Sequence, residues 1–107
     1  MSPRQFDVFP NPDPESAEGY PYFVVLQHDV LTRLNTRVVA PLIPPKSLPF
    51  FERLMPEVNV KRSRYVIDMT NVGVIPVLAL NEAIANLEKY RYQIVGAMDL
   101  VFSGIGS

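Results

Sequence analysis

Eleven prolines in 107 residues, about twice the usual share, cut this chain into short segments, because proline fixes φ and has no N–H to give to a helix or a sheet ladder. Pro10, Pro12 and Pro14 fall in a polar stretch running to Ser16 with no apolar period. That stretch reads as a flexible loop after a short first strand at Gln5 to Phe9. Pro44, Pro45, Pro49 and Pro56 bracket Lys46 to Met55. The segment between them has room for only one or two helical turns and reads as a connector carrying a small apolar cluster.

The apolar runs between the prolines are of β type. Tyr22 to His28 is rich in aromatic and β-branched residues and too short for a helix, which predicts a central strand. Arg37 to Leu42 repeats the signal, and its Pro41 predicts an edge position or a bulge. Asp29 to Thr36, with Leu31 and Leu34, reads as a surface loop with its apolar groups partly tucked in. Glu57 to Val60 and Arg64 to Met69 read as a hairpin across Lys61-Arg62-Ser63. Val74 to Leu78 gives a further strand, entered through Gly73.

The end of the chain changes period. Ile84, Leu87, Ile94, Met98 and Val101 recur at three- and four-residue spacing, Asn81 is a good N-cap and Glu82 would place negative charge in the first turn. The pattern predicts a helix from Glu82 to about Phe102. Gly96 inside it costs about 1 kcal/mol relative to Ala, which predicts close approach of another backbone, either a packed strand or a second subunit. Read by itself, the tail is a helix whose last turn packs Phe102 into the core and stops at Gly104. The alternative is an exposed terminus that inserts into a partner.

Composition removes several classes of function. Ten Lys plus Arg against eleven Asp plus Glu give a formal charge of −1, so no global positive field draws the protein to nucleic acid. Lys61, Arg62 and Arg64 form a local basic group that reads first as a solvated hairpin tip. There are no cysteines, which excludes disulfide scaffolds and thiolate chemistry. Residues 1–7 lack the basic and apolar pattern of a leader, and no run approaches the roughly 18 apolar residues of a spanning helix. A soluble, cytoplasmic protein is the expectation.

Catalytic constellations are also missing. His28 is the only histidine, which leaves no two-histidine metal site, and it reads as a surface residue at a strand end. Gly104-Ile105-Gly106 has no helix after it to cradle a phosphate. The carboxylates show no acid/base spacing, and Tyr22, Phe23 and Tyr65 lie in apolar strand runs with a core explanation. Neither an enzyme nor a metal or other cofactor is implied.

Several local sequences, in order, resemble one family over nearly the whole length. Gln5-Phe6-Asp7-Val8-Phe9 looks like the opening strand of the CcdB toxins, and Phe23 to Asp29 like their second strand with the aspartate that follows it. Ala40-Pro41-Leu42 resembles a family Ile-Pro-Leu, Ile75-Pro76-Val77 resembles a Val-Pro-Val, and Leu80 to Ile105 aligns without a gap. The resemblance implies a mainly β fold with a long C-terminal α-helix, an SH3-like barrel of the CcdB, MazF and Kid type, in a single domain over 1–107 that forms a homodimer.

The same resemblance implies function. CcdB toxins of type II toxin-antitoxin modules bind the DNA gyrase A subunit through their last residues, trap cleaved DNA, and are neutralised by a CcdA-like antitoxin with a disordered segment. The resemblance implies target contacts at Ser103, Gly104, Ile105, Asp99, His28 and Val30, and a role in transcription regulation of the operon. It implies no catalytic residue, no membrane association and no direct nucleic-acid binding without the antitoxin. Two departures fall on the tail: Ser103 stands where the family has tryptophan, and Gly106-Ser107 extend the chain past Ile105. Two alternatives stay open. One is a homologue with altered target binding that retains antitoxin binding and operon regulation. The other is a MazF- or Kid-like endoribonuclease of the same fold, with Arg64, Arg37 or His28 handling phosphate.

Overall fold

A computed structural model describes residues 2–31, 33–45 and 53–104. Among these, seven strands make one antiparallel sheet: β1 (Asp7–Pro10), β2 (Tyr22–Val25), β3 (Thr36–Ile43), β4 (Glu57–Val60), β5 (Ser63–Ile67), β6 (Gly73–Pro76) and β7 (Ala85–Asn86). Their order is β4-β5-β3-β2-β1-β7, with β6 also on β3. The sheet curls into a nearly closed barrel of the SH3-like type and is followed by one helix, α1 (Arg91–Ser103). Most of the connector expected at Lys46 to Met55 lies outside the described residues, as does Ile105.

Side-chain alternation along the central strands divides the interior in two. Val8, Val24, Ala40 and Leu42 face the larger core, which Leu87 and the α1 residues Ile94 and Ala97 close. Phe9, Val25 and Val39 face the other side and pack with Leu80 and the half-buried Phe23 and Ile75.

Pro10 ends β1, and the other two strand prolines are placed by hydrogen-bond phase. Contrary to the expectation of an edge or bulge, Pro41 lies inside the central strand β3. That strand pairs with β6 through Thr36–Val39 and with β5 through Leu42 and Ile43, and Pro41 falls where one partner gives way to the other. Its carbonyl accepts from the Asp68 N–H at 2.9 Å, and no ladder bond is asked of its nitrogen. Pro76 sits on β6. The Val77 N–H donates to the Asn35 carbonyl, so Ile75 and Gly73 carry the inward bonds while Val74 and Pro76 face away from β3. A proline there blunts an otherwise open edge.

The loops before and after β2 are held differently. The proline-rich segment after β1 is held by Asn11, which is 9% exposed. Its Nδ2 donates to Ser16 Oγ and the Tyr20 carbonyl, and its Oδ1 accepts from the Asp13 N–H. In the loop after β2, Leu31 and Leu34 are about half exposed, partly tucked in as expected.

The larger correction concerns the helix, which starts at Arg91 and not at Glu82. Residues 84–87 run along β1 instead: the Ile84 N–H donates to the Val8 carbonyl at 2.8 Å and the Leu87 N–H to the Phe6 carbonyl at 2.9 Å. A two-residue strand and a 3₁₀ turn at Glu88–Tyr90 precede the helix. The free edge of β1 outcompetes local helix propensity, and Ile84 and Leu87 still reach the core because a three-residue step serves a strand followed by a turn equally well. Asn86 makes the transition. Its Nδ2 donates to the Gln5 carbonyl and Asp7 Oδ1, and its Oδ1 accepts from the Glu88 N–H.

Candidate target-binding surface

The family-matched positions occupy two places. The first is the 3₁₀ turn Asp29–Leu31 that follows β2. His28 is exposed, its Nδ1 accepts from the Val30 N–H at 3.0 Å, and Val30 is 76% exposed. This bond makes Nδ1 the acceptor and leaves Nε2 as the nitrogen that carries the proton in the neutral ring.

The turn is presented on a rigid base. Asp29 Oδ1 accepts the Gln5 N–H at 2.7 Å, and Oδ2 takes the Arg4 guanidinium at 3.3 Å. The backbone bond from Gln5 is the main reason the Asp29 carboxyl is held below the ordinary aspartate value of 3.8; partial desolvation opposes it and Arg4 assists it. Gln5 Nε2 returns to the Leu26 carbonyl, and Gln27 spans the loop by donating to the Leu31 carbonyl and accepting from the Val38 N–H. Arg37, 1% exposed, closes the base from beneath. Its Nε donates to the Pro3 carbonyl at 3.1 Å and its Nη1 to the Leu34 and Thr36 carbonyls at 2.7 and 2.9 Å.

The second place is the end of α1. Ile94 and Ala97 turn inward while Tyr92, Gly96, Asp99 and Ser103 lie on the outer face. Ser103 Oγ donates back to the Asp99 carbonyl at 2.6 Å. Gly104 ends the helix at φ 70°, a left-handed cap that glycine adopts freely, with its N–H on the Leu100 carbonyl. Phe102 is 64% exposed, so the last turn does not pack it into the core. The structure therefore groups His28 with Val30, and Asp99 with Ser103 and Gly104. Ile105 lies beyond the described residues.

Sequence reasoning missed Arg4, Gln5 and Asp29 as a unit and Phe102 as a surface residue. An aspartate directly after a strand was the available signal for the first, since Asx side chains there capture backbone N–H groups. The residues considered for phosphate chemistry are not gathered. Arg37 is committed to backbone carbonyls, Arg64 pairs with Glu57 on the β4–β5 hairpin, and His28 caps its own turn. Among the described residues no three His, Asp or Glu side chains cluster as a metal site, and no helix is long and apolar enough to cross a membrane.

Small barrels with one terminal helix are known among toxins. The structure is similar to the Mycobacterium tuberculosis toxin MazF-mt6, with a TM-score of 0.67 and 19% identity, covering 92% of this chain and 96% of that one. It is also similar to an Mtb toxin, with a TM-score of 0.65 and 22% identity, covering 78% of this chain and 92% of that one. At these identities the likeness is one of fold. Residues 5–104 match the family described as CcdB protein. The chain belongs to the CcdB family, a family of toxin-antitoxin toxins. No curated protein matches it at a significant level.

Proposed function

We propose that this protein is a gyrase-directed toxin that acts by binding, without catalysing a reaction, and that its surface for the gyrase A subunit comprises Ser103, Gly104, Ile105 and Asp99 together with His28 and Val30. In this reading a homodimer engages gyrase in the cytoplasm and traps the complex with cleaved DNA. A CcdA-like antitoxin with a disordered segment neutralises it and couples it to operon regulation. The observation that carries the proposal is the end of α1: Phe102 stands in solvent and a left-handed Gly104 ends the helix.

Physical chemistry supports a binding role. Val30 is a large exposed aliphatic on a turn held by bonds from the Gln5 and Val30 N–H groups, and a turn held in this way lowers the ordering cost of docking. The groups that could serve phosphate cleavage are occupied structurally, which favours this reading over a ribonuclease.

Ser103 sets the strength. A buried interface tryptophan contributes about 2 kcal/mol or more, whereas the Ser103 hydroxyl is turned back onto the helix. Ser103→Trp is therefore expected to tighten binding to the gyrase A dimerisation region about 30-fold, since about 1.4 kcal/mol is a factor of ten. Calorimetry on the two proteins reads this directly, and equal affinities would remove the tail from the interface. Retained binding to the cognate antitoxin with no gyrase binding by either protein would favour the homologue that has changed its target.

A further inference from the structure

The β4–β5 hairpin ends in an unusual pair of residues. Both central positions of its two-residue turn have positive φ, a geometry that Asn-Gly meets easily and long side chains resist. Here they are Lys61 at 49° and Arg62 at 70°. Neither makes a hydrogen bond or ion pair among the described residues. Two strained cations at the tip of a ribbon are poorly explained as mere solubilising groups, because Asn-Gly would close the same turn with less strain.

The ribbon behind the tip is braced by a segment that carries a third cation. The Asn59 N–H and Nδ2 donate to Tyr90 Oη at 3.1 and 3.4 Å, fixing the ribbon against the approach to α1. The Lys89 ammonium lies 5.2 Å from the centre of the Tyr90 ring, and Asn59 is an exposed residue of β4 two positions before Lys61. Arg64, opposite Asn59, is paired with Glu57. Lys61 and Arg62 at the tip and Lys89 on the bracing segment are thus three cations with no carboxylate partner among the described residues, on a chain whose net charge is −1.

We propose that this hairpin tip is a contact for the phosphates of duplex DNA. The neighbouring Asn59 and Ser63 are polar, and a protein partner needs a buried apolar or aromatic anchor that the tip does not offer. Phosphates need only fixed cations, and a two-stranded ribbon has the width that a DNA major groove admits. The contact departs from the sequence-based expectation of no direct nucleic-acid binding, because a local patch acts where the global field is absent. It does not depend on the gyrase reading and is tested without gyrase.

The test is fluorescence anisotropy of a labelled duplex titrated with the full chain at several salt concentrations, alongside Lys61→Asn/Arg62→Gly. That variant installs the favoured turn and removes two charges, and a thermal melt at or above the parent's verifies its fold. Three phosphate contacts at about −0.9 in log–log slope each predict roughly 40-fold weaker binding for a fourfold rise in salt. In the variant the slope falls to about one third, so the same rise costs roughly 3.5-fold. No binding by the parent at low salt, or an unchanged slope in the variant, would each overturn the proposal. A clear preference for single-stranded RNA over the duplex would overturn the choice of DNA.

Discussion

At the residue scale, one carboxylate ties the N-terminal segment to the presented turn. Asp29 accepts the Gln5 N–H and the Arg4 guanidinium, and charge-assisted bonds of this kind contribute about 1.5–3 kcal/mol. Its side chain is 38% exposed, so Asp29→Asn is expected to cost about 1–2 kcal/mol at neutral pH by chemical denaturation. The sign of the pH dependence follows from the lowered carboxyl value. The contribution is fully present above 3.8, the ordinary value, and is lost as pH falls through the lower folded value. The melting temperatures of parent and Asp29→Asn should therefore differ at neutral pH and converge below pH 3.8. Curves that stay parallel into acid would show that the charge of Asp29 contributes nothing.

At the element scale, the approach to α1 separates two accounts of the same residues. The hydrogen bonds of Ile84 and Leu87 to β1 predict that residues 82–87 give extended or irregular Cα and Cβ chemical shifts, with helical values starting near Arg91. Continuous helical shifts from residue 82 would refute the β1–β7 pairing. Most strands were legible because alternation and β-branched runs report burial on one face, and the hairpin because a polar turn separates two such runs. The helix start was not legible, since the spacing of Ile84 and Leu87 fits either structure and the deciding partner, β1, lies almost 80 residues earlier. Pro41 was misplaced for a related reason: a missing N–H says only that no bond forms, and the gap between β5 and β6 that accommodates it is a property of three strands together. For the candidate surface, the resemblance indicated His28, Val30, Asp99 and the tail. The latch under the turn was hidden because its members, Gln5 and Asp29, meet only in the fold.

At the scale of the whole molecule, Gly96 tests whether the proposed homodimer uses the outer face of α1. A Cβ at Gly96 would meet nothing within 4 Å in the single chain, which removes the packed strand as its explanation. Gly96→Ala is expected to stabilise an isolated chain by about 1 kcal/mol through helix propensity. If two copies meet on the outer face of α1, the same substitution should instead weaken the dimer in sedimentation experiments. A stabilised protein with unchanged self-association would place any dimer contact elsewhere.

The end of α1 and the turn after β2 are proposed to form one surface for gyrase. Its most direct measurement is gyrase-mediated DNA cleavage with purified protein, comparing the full chain, a chain lacking the last five residues, and His28→Ala/Val30→Ala. Cleaved DNA is expected to accumulate and supercoiling to be lost with the full chain, with the effect abolished by the truncation and weakened by the turn variant. No cleaved DNA with a folded full chain, or equal cleavage after truncation, would contradict it.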